Sequence, residues 1–139
     1  MPLVRIDVIE GQTPERVRAI MDAIHRAIVA EYRIPERDRF QIVSERPTSW
    51  IIAEDAGLGF ERDATLIMIQ IFTQRGRTVA AKQRLYAAIA HGLGQLGVSG
   101  ENIFIGYVEN GPDDWSFGYG RAQYVTGELA VPAPEAVAA

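Results

Sequence analysis

The chain carries one pattern twice. A β-type run, Leu3 to Val8, leads into Glu10-Gly11-Gln12-Thr13 and then into apolar residues at helical spacing: Val17, Ile20, Met21, Ile24 and Ile28. A longer and more apolar β-type run, Thr65 to Thr73, leads into Arg75-Gly76-Arg77-Thr78 and then into Ala81, Leu85, Ala88, Ile89 and Leu93. Gly11 matches Gly76, and Thr13 matches Thr78. Each threonine stands where a helix needs an N-cap, since its hydroxyl can accept from an otherwise unpaired backbone N–H. Pro14 takes the favoured first helical position, and Gly97 is expected to end the second helix. The likeness continues beyond the helices. Arg39–Arg46, preceded by Asp38 and containing Phe40, matches Ile103–Glu109, preceded by Asn102 and containing Phe104.

Each half therefore reads β-α-β, and a helical crossover makes the two strands of a unit parallel. Two such units predict an α+β fold, a four-stranded sheet with both helices on one face. A single domain is expected over residues 1–130, with units at about 2–46 and 65–110, followed by a disordered Ala/Pro-rich tail over 131–139. A generic ferredoxin-like α+β sandwich fits the same pattern. The sheet face turned away from the helices is expected to be apolar, with Trp50, Ile51 and Ile52 adding to it. One domain cannot cover such a face by itself, so an oligomer is expected unless a loop lies over it.

Composition narrows the function. The 139 residues are 47% hydrophobic and 23% charged, enough for one domain with a sizeable core. A net charge of -4 and the lack of a Lys/Arg run argue against a nucleic-acid partner. The absence of cysteine excludes disulfides, thiolate catalysis and cysteine zinc sites, and fits a reducing cytoplasm. No apolar stretch approaches the roughly 20 residues of a membrane helix. The N-terminus opens directly on a strand rather than on a leader pattern.

Four groups of residues could carry chemistry. Removal of Met1 ahead of a small residue would leave Pro2 with a terminal secondary amine. Such an amine has a pKa near 8, roughly, and can act as acid, base or nucleophile near neutral pH. Arg75 and Arg77 flank Gly76 between a buried strand and a helix N-terminus, a place suited to a carboxylate, although a solvated turn would look the same. The first repeat has Glu10 and Gln12 there, so the architecture does not demand the basic pair. Asp38, in Pro35-Glu36-Arg37-Asp38-Arg39, could hold a water or the Pro2 amine, or simply form a turn. Trp115 and Phe117, in the aromatic segment from Asp114 to Gly120, could wall an apolar pocket or pack an interface. His25 and His91 lie on separate helices without metal-ligand spacing and read as structural.

With these residues in view, the chain resembles the malonate semialdehyde decarboxylase family of the tautomerase superfamily, from Pro2 to about Leu129. The matching segments include Pro2-Leu3, Ile9-Glu10-Gly11, Pro35 to Val43, Gly57-Leu58-Gly59, Arg75-Gly76-Arg77-Thr78, Asp114 to Gly118, Gly120 to Gln123 and Thr126 to Leu129. The resemblance implies a β-α-β repeat assembled as a homotrimer and a cofactor-independent, metal-free enzyme. It implies catalytic roles for Pro2, Asp38, Arg75 and Arg77, and a hydrophobic wall of Trp115, Phe117, Tyr124 and Leu129. The implied reaction is decarboxylation of malonate semialdehyde, or a similar small 3-oxo acid, to acetaldehyde and carbon dioxide. Hydration or dehalogenation of 3-haloacrylates or 2-oxo acids, or phenylpyruvate-type keto–enol tautomerisation, are the alternatives on the same site. Gly76 stands where the family has proline, and Tyr124 where it has phenylalanine. An Asp38–Pro2 contact would raise the amine pKa and favour an acid over a base at neutral pH.

Overall fold

A computed structural model describes residues 1–132 of the chain. Its elements run β1 (Leu3–Ile9), α1 (Pro14–Tyr32), β2 (Phe40–Arg46), β3 (Ile67–Gln74), α2 (Val79–Gly94), β4 (Ile103–Asn110) and a short α3 (Gln123–Thr126). The expected tail falls largely on 133–139, outside the described residues; Val131 and Pro132 have no regular structure.

The helix starts form as their chemistry dictates. The Thr13 hydroxyl accepts from the Arg16 N–H at 3.1 Å, and the Thr78 hydroxyl accepts from the Ala81 N–H at 3.1 Å. The second helix stops earlier than the sequence suggests. α2 ends at Gly94, and Gly97 takes a left-handed conformation (φ 84°) in the tight turn that follows. There the N–H of Val98 reaches back to the Leu93 carbonyl at 3.2 Å.

The sheet order is β2-β1-β3-β4. β1 and β2 are parallel, β3 and β4 are parallel, and β1 meets β3 antiparallel, with Ile6 opposite Ile69 at the centre. Alternation decides which face each side chain takes. Val4, Ile6 and Val8 of β1 and Ile67, Ile69 and Ile71 of β3 point to the helices, where they bury against Ile20, Ile24, Ile28, Leu85, Ile89 and Leu93. Burying each such side chain contributes about 1.5–3 kcal/mol.

The opposite face is less uniform than expected. One outer row is apolar, with Phe40, Leu3, Phe72 and Val108 side by side; the row at the other end sets Ser44 and Asp7 beside Met68 and Phe104. The middle row carries Arg5 and Gln70 beside Ile42 and Gly106. A face that met only hydrocarbon would not keep that arginine, so the surface suits a partner with polar groups of its own. Phe40, Ile42, Phe104 and Val108 are 40% to 48% exposed, and Trp50 and Ile52 stand out further at 72% and 86%. Among the described residues no helix is long and apolar enough to cross a membrane.

Candidate active site

The topology gathers the chemistry at one end of the sheet. β1 begins there at Leu3, and parallel pairing sets Phe40, the first residue of β2, beside it. β3 runs the other way, so Phe72 lies opposite Leu3, and Thr73-Gln74-Arg75 emerge next to the chain start. β4 ends beside Gln74 at Asn110 and leads into the aromatic segment. Residues far apart in sequence thus meet because one parallel and one antiparallel pairing share a strand.

Pro2 is buried at this end. In the chain with Met1 retained, the Pro2 nitrogen is an amide, and the free ammonium is that of Met1, one residue further out. It stands in for the terminal amine that Pro2 would carry. This ammonium lies 3.7 Å from Asp38 Oδ2, with both side chains nearly out of solvent. Asp38 closes a turn in which its N–H donates to the Pro35 carbonyl at 3.0 Å. Burial pulls the amine below its ordinary value; the Asp38 charge pushes it back up, and Arg77 adds to the lowering. Asp38 moves the opposite way. Burial raises it above the usual carboxylate value, against the opposing pull of the amine and of His25. Both movements bring the two proton affinities closer together.

The amine opens onto an apolar cavity of about 620 Å³, lined among others by Met1, Asp38, Phe40, Phe117, Tyr124 and Leu129. Phe117 packs at 5.2 Å against Tyr124 and at 5.9 Å against Phe40. Trp115 does not line this cavity. It stacks behind Phe117 at 6.1 Å and donates its indole N–H to Asn110 at 2.9 Å, bracing the wall from outside. Tyr124 is buried; burial and then the Asp38 charge raise its pKa, and the neighbouring Gln74 side chain acts the other way.

A second cavity, of about 550 Å³, shares Pro35, Asp38 and Pro132 with the first and is bordered by Tyr32, Arg77 and Arg84. Arg77 lies over the Tyr32 ring, its guanidinium carbon 4.3 Å from the centroid. The Tyr32 hydroxyl donates to that of Tyr107 at 3.1 Å, and burial holds the Tyr107 phenol far above its usual value, so this platform stays neutral. The two arginines border one recess with the chain start but differ in setting: Arg75 is exposed, and its guanidinium rests against Gly111, where a β-carbon would come within 3.3 Å of Nη1. Gly76 between them takes φ 129°, which proline could not follow.

Two residues that sequence reasoning passed over stand between the arginines and the amine. Thr73 is buried, and Gln74 shares a small recess with Met1, Thr73, Arg75 and Arg77. The Gln74 Nε2 is buried without a hydrogen-bond partner among the described residues. A buried amide donor in that state costs about 1–3 kcal/mol, a cost that a bound acceptor removes. The signal was faint but present: an apolar strand ending in two polar residues before a basic turn. His91 lies exposed in the last turn of α2, while His25 is buried on α1 with Nε2 2.9 Å from the Glu36 carbonyl.

Comparison with known proteins points to one family. Two family models, both described as "Tautomerase enzyme", match residues 38–118 and 2–61. The crystal structure of FG41 malonate semialdehyde decarboxylase inhibited by 3-bromopropiolate is similar at 55% identity and a TM-score of 0.90, over 94% of this chain and 99% of that one. A second malonate semialdehyde decarboxylase structure is 32% identical with a TM-score of 0.88, over 92% of this chain and 99% of that one. "Probable tautomerase YrdN" of Bacillus subtilis (strain 168) is 38% identical over 93% of this chain and all of its own length. The chain belongs to the tautomerase family.

Proposed function

We propose that the protein, once Met1 is removed, decarboxylates malonate semialdehyde or a similar small 3-oxo acid, with the Pro2 amine as its working group. The observation that carries this reading is the terminal amine held against Asp38 at the mouth of an apolar cavity, with Arg77 and the unpartnered Gln74 amide close by. The 55% identity to a protein described as malonate semialdehyde decarboxylase supports it. Arg77, Gln74 and Tyr124 orient the substrate's oxygens. The Pro2 ammonium donates a hydrogen bond to the aldehyde oxygen, or the neutral amine condenses with the aldehyde to an iminium with loss of water. In either route the bond between the carboxylate carbon and C2 breaks, carbon dioxide leaves, and its electron pair moves toward the polarised carbonyl or iminium. Protonation at C2 then gives acetaldehyde, directly from the enol or after water hydrolyses the iminium. The apolar wall of Phe40, Phe117 and Leu129 favours the less charged product. A homotrimer that covers the exposed sheet face, and a cytoplasmic location, complete the reading.

Tautomerisation is the second reading. It is favoured by the direction of the amine pKa, which burial keeps below that of an ordinary terminal amine despite Asp38. A neutral amine is the base that keto–enol exchange requires. The test is acetaldehyde formation from malonate semialdehyde, followed through NADH consumption by a coupling dehydrogenase, with mass-verified protein lacking Met1. Acetaldehyde production that Pro2→Ala abolishes supports the decarboxylase. Its absence, together with enol exchange of phenylpyruvate, moves the assignment to the tautomerase.

A further inference from the structure

We infer that His25 is a positioning residue for Asp38, tying down the turn that carries the carboxylate and facing it with a group that can take a positive charge. The inference rests on reading Asp38 as the partner of the terminal amine.

The geometry begins with what Asp38 lacks. Among the described residues, the contact of its carboxylate is the amine, 3.7 Å away, and no hydrogen bond holds the carboxylate from its own side. Its place is therefore set by its backbone, the Pro35–Asp38 turn. That turn is fastened to α1 at both ends. Ahead of Asp38, the His25 Nε2 lies 2.9 Å from the Glu36 carbonyl; because a carbonyl can only accept, this nitrogen carries the hydrogen. Behind Asp38, Arg39 donates to Asp22 Oδ1 at 2.6 Å and to Gln41 Oε1 at 2.7 Å, and Gln41 donates to the Met21 carbonyl at 2.8 Å. Met21, Asp22 and His25 fall on neighbouring positions of one helix face. A helix that merely packed there would present hydrocarbon to the connection. This one presents a row of polar anchors with Asp38 between them.

His25 is also close enough for its charge to act on Asp38. The residue is 8% exposed and lines an open cavity of about 660 Å³. The charged neighbours there are Arg18, Asp22 and Arg26 on α1, and Glu36 and Arg39 on the connection. Asp38 itself is faced by the amine, by His25 and, across the cavity walls, by Arg37 and Arg77. His25 thus stands between the open cavity on one side and the acid–amine pair on the other.

The experiment compares wild type, His25→Gln and His25→Leu, each mass-verified to lack Met1. Glutamine can keep a donor near Nε2 without a charge; leucine fills the space with neither. The readouts are the thermal midpoint, kcat and KM for malonate semialdehyde, and the titration of the Asp38 carboxyl carbon by NMR, assigned with Asp38→Asn. The expected result is a folded leucine variant with kcat at least tenfold lower, KM within threefold of wild type, and Asp38 titrating at higher pH. The glutamine variant should recover kcat to within threefold while Asp38 still titrates higher than in wild type. Variants that lose thermal stability but keep wild-type kcat and Asp38 titration would overturn the inference. If the leucine variant does not fold, an unchanged Asp38 titration in His25→Gln overturns it alone. A wild type that makes no acetaldehyde removes the decarboxylase reading, while the Asp38 titration still decides the role of His25.

Discussion

Replacing Asp38 by asparagine should strip the terminal amine of the charge that helps keep it protonated. The two groups lie 3.7 Å apart, with 5% and 13% of their side-chain surface exposed. Unit charges about 4 Å apart attract by about 1 kcal/mol in water and by about 4 kcal/mol at an effective dielectric near 20. Because about 1.4 kcal/mol is a factor of ten in proton affinity, the amine should bind its proton roughly 5 to 1000 times more weakly in the variant. Its burial argues for the upper part of that range. Asparagine keeps the shape of the carboxylate, so the two influences that lower the amine, burial and Arg77, stay in place. The assay is a nitrogen NMR titration of the terminal residue in selectively labelled protein, after mass spectrometry has established whether Met1 or Pro2 carries the amine. An amine that titrates in the variant at or above its wild-type pH refutes the reasoning. It would mean that the carboxylate is already neutral, or too well hydrated to act, when the amine loses its proton.

The same pair predicts a pH signature of stability. Asp38 has a raised pKa in the folded state, so its contribution is fully present below the ordinary value of 3.8 and is lost as pH rises through the raised one. Unfolding free energies of wild type and Asp38→Asn, measured by denaturant titration between pH 4 and pH 7, should therefore diverge in favour of the variant as pH rises. Gln74→Leu removes a buried donor that has no partner. Its unfolding free energy should be unchanged or up to about 2 kcal/mol higher, while kcat/KM for malonate semialdehyde falls at least tenfold; a variant that loses stability and keeps activity contradicts the role given to the amide. Ile42→Glu, on the exposed sheet face, should lower the mass measured by light scattering from that of a trimer, with far-UV dichroism retained.

The repeat was legible because it rests on local chemistry. Thr13 and Thr78 can each cap only the helix that follows, and the apolar spacing of α1 and α2 leaves one face to bury. The parallel pairing within each half was legible too, but the order β2-β1-β3-β4, set by the antiparallel meeting of β1 and β3, was not. What stayed hidden depends on contacts across strands. Arg75 and Arg77 sit two residues apart and look alike, yet within the recess they share at the chain start Arg75 is exposed against Gly111 while Arg77 lies over Tyr32, a difference no local pattern reveals. Thr73 and Gln74 went unremarked, because nothing local reveals that β1 begins beside them. The sheet face read as apolar because its aromatics are conspicuous, while Arg5 and Gln70 meet only through the antiparallel register. The opposing effects on the amine were the hardest to foresee: a carboxylate contact alone would raise a terminal amine, and on the Met1 amine the depth of burial outweighs it.

The antiparallel meeting of β1 and β3 has a consequence for stoichiometry. It relates the two halves as if by a half-turn, so the start of β3 lies at the far end of the sheet, beside Val8. A reactive corner built like the first would belong there. The nitrogen in that corner is the peptide N–H of Leu66, which donates to the Asp63 carbonyl at 3.2 Å. Its lone pair is delocalised into a peptide bond and cannot serve as acid, base or nucleophile. Duplicating the unit within one chain therefore doubles the scaffold and not the amine: a reagent that consumes the working group should saturate at one equivalent per polypeptide, however many chains assemble.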